Sequence, residues 1–227
     1  MQDTGIAAER LGLTVDEVLT TTRAVRKRLD LDRPVPFSVV SECLALAQQA
    51  PNGCNEEPWR WVVVTDPGQR AAVADLYRRS GHAYAEDDST TLRPGTTNNP
   101  EELRARERQD SSAAYFWENL HRVPVMLIPC VTPRPEGEAI ATASALWSSI
   151  VPATWSFMLA ARERGLGTCW TTVHLYEERA VAEVLGIPYD DVMQVGLIPV
   201  AYTKGTNFRP ARRTSLDTII HRDRWQA

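Results

Sequence analysis

Cysteine is scarce in this chain and unpatterned. The four cysteines, Cys43, Cys54, Cys130 and Cys169, form no C-x-x-C pair. Three of them sit in apolar segments, where a free thiol packs as a small hydrophobe. The pattern argues against a disulfide framework or a zinc site and predicts reduced thiols in a cytoplasmic protein. Long apolar runs are missing too. None approaches the roughly 20 residues of a membrane span, so no membrane partner is expected. The opening MQDTGIAAERLGL lacks a basic stretch followed by an apolar core, so no secretory leader is expected. Neither sign of charge dominates. The formal net charge of −4 argues against a nucleic-acid partner.

Several catalytic signatures are absent as well. There is no G-x-x-x-x-G-K-[ST] phosphate loop and no G-x-S-x-G nucleophile elbow. Gly165-Leu-Gly167 follows a helical pattern, whereas a dinucleotide fingerprint must follow a strand. His82, His121, His174 and His221 lack metal-ligand spacing. Glu118-x-x-His121 is a single copy of a di-iron motif that needs two, so no metal is expected.

What is present is an ordinary globular composition, 43% hydrophobic and 24% charged over 227 residues. With no repeat and no linker, a single domain spanning 1–227 is expected. Its centre is Ala141–Thr172. Leu146, Ile150, Val151, Thr154, Phe157, Met158 and Ala161 recur at helical spacing, and Trp147, Trp155 and Leu159 make the other face apolar too. Such a helix is expected to be buried. Pro152 is expected to kink or restart it, Arg162–Arg164 to return it to solvent, and Gly165 to cap it. Strands are predicted at Trp59–Thr65, Val123–Val131, Thr168–Val173 and Val192–Tyr202. Helices are predicted from the capping box Thr14–Glu17, from Pro36, over Gln69–Arg79 with Ala71, Val73, Leu76 and Tyr77 inward, from about Asp110, and over Tyr176–Leu185. Segment 80–108 is polar and aperiodic, and reads as a lid or an insertion.

Two basic clusters bracket the chain. TTTRAVRKRLD carries Arg23, Arg26, Lys27 and Arg28, and the tail carries Arg209, Arg212 and Arg213. Two readings fit the first: a solvated basic helix face, or an anion clamp in which Arg23 and Arg26 grip one phosphate.

In their order these segments resemble the FMN-dependent nitroreductase family across about the whole chain. TTRAVR is similar to its R-R-S-x-R phosphate turn, and APNGCNEEPWRWVVV to its A-P-S-x-x-N-x-Q-P-W-x-F-x-V-V block. IVPATWSFMLAARERGLGTCWTT resembles its long dimer-forming helix. VLGIPYDDVMQVGLIPVAY and the arginine tail resemble its L-G-I-P segment, last core strand and closing R-x-P-L.

The resemblance implies an α+β fold: a mostly antiparallel central sheet flanked by helices, in an intertwined homodimer with FMN at the interface. Arg23, Ala24 and Arg26 would hold the FMN phosphate and ribityl end, with Arg213 and Arg212 closing from the tail. Pro51, Asn52, Gly53 and Asn55 of the partner chain would line the ring, and Thr171 and Thr172 would reach its polar edge through backbone groups. Hydride would pass from NADH or NADPH to flavin N5 and then to a flat small-molecule acceptor, with no protein acid or base essential. A specialised flavin oxidase or dehydrogenase and a non-turnover FMN store are the alternatives. The chain departs from the family pattern at Ala24 and Asn52, both for serine, at Glu57 for glutamine, and at Trp155-Ser156 for Gln-Asn.

Overall fold

Local signals fix most element ends. Thr14 caps helix α1 (Val15–Thr21), and Glu17 bonds back to it, completing the capping box. Helix α2 (Phe37–Ala47) follows Pro36. Strand β1 (Trp59–Val64), helix α3 (Pro67–Glu86), helix α4 (Pro100–Asn119) and strand β2 (Val125–Val131) come next. Helix α5 (Ile140–Glu163), strand β3 (Leu166–Thr168), helix α6 (Glu178–Leu185) and strands β4 (Met193–Gln194) and β5 (Ile198–Tyr202) complete the order. The computed structural model describes residues 10–86 and 98–225.

The sheet is antiparallel throughout, in the order β1-β2-β5-β3, with β4 also paired to β2. β2 is buried along its whole length because both faces are covered. Met126, Ile128 and Cys130 meet α3, α4 and α6 on one side. Val125 and Leu127 meet α2 and α5 on the other, around the fully buried Phe157. That alternation is the period of two along a strand, with a hydrophobic layer on each side. The architecture is α+β with an antiparallel sheet between helices.

Several sequence expectations need correction. α5 continues through Pro152 as one helix and does not restart there. Its own chain covers only part of it. Trp147, Val151, Trp155 and Leu159, four residues apart, form a stripe on which Val151 is 40% and Trp155 37% exposed. Arg162 and Arg164 do not return to solvent. They are buried because each reaches fixed acceptors across the fold: Arg162 donates to Thr21 Oγ1 at 3.2 Å and the Thr206 carbonyl at 3.0 Å. Arg164 donates to the Ala160 carbonyl at 2.9 Å and Glu42 Oε1 at 2.5 Å. Long stems let both heads reach these acceptors while their methylenes pack.

The strand predicted over Thr168–Val173 ends at Thr168. Its register continues to an isolated Thr171–Leu197 bridge, and the residue that faces Cys169 there is Pro199, which has no N–H to donate. The strand predicted over Val192–Tyr202 is split into β4 and β5 around Gly196, where the Trp170 indole lies against the backbone. A Cβ at 196 would stand 2.5 Å from Trp170 Nε1. Ala71 faces outward, and Ala74 takes the inward position on α3. Segment 80–108 is not structureless: α3 runs on to Glu86 and α4 starts at Pro100, capped by Asn99. The middle of the expected lid, residues 87–97, lies outside the described residues.

Candidate functional site

The basic run after α1 is a turn, not a helix face. Thr20, Thr21 and Thr22 turn their hydroxyls back onto the carbonyls of Asp16, Glu17 and Val18, and the helix stops. The chain then crosses the end of β3. Val25 N donates to Thr168 O at 2.8 Å, Asp30 N to Tyr202 O at 2.7 Å, and Lys204 N to Arg28 O at 2.8 Å. Val25 and Leu29 are buried beneath the turn. The close approach requires Gly167, since a Cβ there would lie 2.7 Å from Thr203 Cγ2 and 3.0 Å from Leu29 Cδ2.

Arginines then strap the C-terminal tail to the turn. Arg23 Nη1 donates to Arg209 O at 3.1 Å. Arg28 donates to Lys204 O at 3.0 Å and Asn207 Oδ1 at 2.9 Å, and stacks 4.1 Å over Phe208. The strap brings Arg213 to the same place as Arg23, Ala24 and Arg26. All four line a cavity of about 730 Å³. Arg212 does not line it. That side chain is turned out to an exposed ion pair with Glu101 at 2.5 Å.

The rest of the wall comes from residues the sequence reading missed. α5 supplies Trp155 and Met158, and Trp170 closes one side. α4 supplies Ala105, Arg108, Gln109 and Ser112. Those four are spaced i, i+3, i+4 and i+7, so they share one helical face. A search for apolar periodicity passes over such a face because it is polar. Among the described residues, no carboxylate lines the cavity. Among the described residues, no carboxylate pairs with Arg26, Arg108 or Arg213. Arg26 instead lies beside the buried Cys169 thiol. Burial pushes that thiol's pKa up, and Arg26 partly opposes the shift.

Thr171 stands behind this wall. Its hydroxyl bonds Tyr77 Oη at 2.9 Å, and its N–H and carbonyl both pair with Leu197. Burial raises the Tyr77 phenol to about 12, so it stays protonated. Thr172 is exposed, and its carbonyl accepts from Leu175 N at 3.0 Å.

The loop after α2 is tightly built. Cys54, Asn55 and Glu57 all have left-handed backbone, with φ of 52°, 59° and 48°. Asn52 Oδ1 accepts from Glu57 N at 2.9 Å, and Gly53 N donates to Ser149 Oγ of α5 at 3.0 Å. Gly53 lines a different cavity, of about 440 Å³, with Ala145 and Ser149. On α5, Ser149 and Met158 are separated by nine residues, about 14 Å at 1.5 Å per residue. One chain therefore brings Arg23, Ala24, Arg26 and Arg213 together, while none of Pro51, Asn52, Gly53 and Asn55 lines that cavity and Gly53 lines the other. Glu57 is exposed beside Gln48 and Trp59, its carbonyl accepts from Arg60 Nη1 at 3.2 Å, and it does not line the large cavity.

Chemically, the large cavity can take an anion at one end and a flat apolar group against Trp155, Met158 and Trp170. A phosphate with an attached planar ring system fits that donor set. Among the described residues there is no cluster suited to a metal ion.

A sequence model of the Nitroreductase family matches residues 19–202. The chain is 30% identical over 159 residues to 5,6-dimethylbenzimidazole synthase from Rhodospirillum rubrum, spanning 68% of this chain and 67% of that protein. It is 29% identical over 204 residues to 4-nitrobenzoate reductase from Nocardioides sp., spanning 80% of this chain and 78% of that protein. Among solved structures, the FMN-dependent nitroreductase NfnB from Mycobacterium smegmatis, in complex with NADPH, superposes with a TM-score of 0.66 at 19% identity. That match covers 92% of this chain and 97% of the other.

Proposed function

Because the chain belongs to the Nitroreductase family, we propose that it is an FMN-dependent oxidoreductase taking hydride from NADH or NADPH and delivering it to a flat acceptor. A nitroaromatic, a quinone or an enone-like molecule is the acceptor class. The observation that carries this reading is the cavity lined by arginines from both ends of the chain, with no carboxylate among the described residues.

When bound, FMN supplies the hydride-carrying atom, N5 of the flavin. The chain supplies position and charge. Arg26 and Arg213 hold the phosphate dianion, and Arg23 keeps the tail in place so that Arg213 can reach it. Trp155, Met158 and Trp170 offer the planar part an apolar wall and keep water from it. No acid or base of this chain is required for the transfer.

A second copy of the chain is part of this proposal. The uncovered stripe Trp147, Val151, Trp155 and Leu159 is the face on which two α5 helices pair. Pairing about a two-fold axis lets the loop of residues 51–55 from one chain complete the arginine cavity of the other. Residues 80–108 act as the lid of that site. Sedimentation at micromolar concentration is expected to give the mass of two chains. A folded, concentration-independent monomer would sink the pairing.

The direct test is spectroscopic. Purified protein loaded with FMN should bleach on anaerobic addition of NADH or NADPH. Flavin that stays oxidised, together with oxygen-dependent turnover without nicotinamide, would favour an oxidase. The similarity to a synthase keeps that alternative in view. Bound flavin with neither behaviour would mean storage. Arg26→Ala and Arg213→Ala are each expected to weaken FMN binding by about 1.5–3 kcal/mol, the range for a charge-assisted hydrogen bond. Unchanged affinity in a fluorescence titration would remove those two residues from the site.

A further inference from the structure

The large cavity carries more positive charge than one phosphate needs. Arg23, Arg26, Arg108 and Arg213 line it, with no carboxylate among the described residues. A phosphate monoester brings about −1.5 to −2 charges at neutral pH, so about two positive charges are left over once it is bound. The surplus has a definite place. A second cavity of about 400 Å³ adjoins the first and shares Arg23, Arg26, Arg108 and Ser112 with it. It adds Lys27 and Arg28 and, among the described residues, again no acidic one.

Most of these cations already have partners. Arg23 and Arg28 are bound to the tail, and Lys27 donates to Ser111 Oγ at 2.6 Å. Arg26 and Arg213 belong to the flavin phosphate on the reading above. Arg108 remains. It projects from α4, one helical turn before Ser112, at the junction of the two cavities. Glu101 on the same helix attracts Arg108 through space but is itself paired with Arg212. Like charges crowded with so little compensation repel, so a second anion seated there lowers the energy of the whole cluster.

We propose that Arg108, with Ser112 beside it, is an anion subsite for the molecule that shares the cavity with the flavin, reading a phosphate monoester or a carboxylate on it. The proposal rests on the FMN reading. A phosphate monoester would come from the nicotinamide donor, as the group by which NADPH differs from NADH. A carboxylate would come from the aromatic acceptor.

The test uses the FMN-loaded protein and needs no turnover. Flavin difference spectra give dissociation constants for two pairs of probes: NADP⁺ against NAD⁺, and 4-nitrobenzoate against nitrobenzene. Wild type is expected to favour the anionic member of one pair by about tenfold or more, the effect of one charge-assisted hydrogen bond. Arg108→Ala should bring that ratio to within about twofold, and Arg108→Lys should keep much of it. Discrimination in the nucleotide pair assigns the phosphate, and discrimination in the nitroaromatic pair assigns the carboxylate. Wild type that discriminates in neither pair, or Arg108→Ala that discriminates as before, overturns the subsite while the flavin reading stands. Arg108→Ala that loses FMN itself also overturns it, making Arg108 a flavin phosphate ligand. Wild type that takes up no FMN overturns both readings.

Discussion

Arg134→Ala is expected to lower the free energy of unfolding by about 3–5 kcal/mol, the cost of removing one partner from a buried ion pair. Arg134 and Glu178 are only 13% and 10% exposed. Their contact is bidentate, Nη1 to Oε1 at 3.1 Å and Nη2 to Oε2 at 2.9 Å. The same guanidinium donates to the carbonyls of Tyr189 at 2.8 Å and Val192 at 3.0 Å, and Glu178 also accepts from Gln194 N at 3.0 Å. One side chain thus joins the exit of β2 to α6 and β4. Alanine leaves Glu178 Oε2 and the carbonyls of Tyr189 and Val192 without this donor, and only Oε1 keeps the Gln194 N–H. Urea denaturation of the two proteins gives the difference directly. A loss below about 1 kcal/mol would mean that water replaces the guanidinium at little cost.

The second large effect is on pH dependence. His174 is fully buried, and neither ring nitrogen has a hydrogen-bond partner among the described residues. Burial pushes its pKa from 6.5 down to about 3, so the folded protein holds it neutral. The unfolded chain takes up a proton below about pH 6.5, and the folded chain does not until about pH 3. Stability from this group is therefore complete above pH 6.5 and is lost as the pH falls towards 3. At about 1.4 kcal/mol per pH unit, roughly 2 kcal/mol should be gone by pH 5. His174→Leu removes no hydrogen bond and should flatten that slope between pH 7 and pH 5. Parallel slopes in wild type and variant would show that His174 is reached by water or protonated in the fold.

Much of this architecture was legible because it is written in local terms. The capping box at Thr14, the glycine after α5 and the unbroken apolar run of β2 each follow from near neighbours in the chain. What misled depends on distant partners. Arg162 and Arg164 look like a solvated charge run until Thr206 and Glu42 are seen as their acceptors. The end of β3 at Thr168 is set by Pro199, a signal visible in the sequence but uninterpretable without the register. In the site, both basic clusters were readable as residue types. Their meeting was expected only through the family resemblance, since Arg26 and Arg213 lie at opposite ends of the chain and no spacing rule joins them. Arg108 escaped because its helix face is polar and lay within a stretch read as lid.

The backbone bonds that pin the basic turn have a kinetic consequence. Thr168, Tyr202 and Lys204 hold the segment from Val25 to Asp30 before any anion arrives. An incoming phosphate therefore finds its donors already in position and loses little affinity to ordering of the chain. Capture becomes a matter of diffusion in the field of the surrounding arginines, so added salt acts first on the rate of arrival and only weakly on how long the ligand stays.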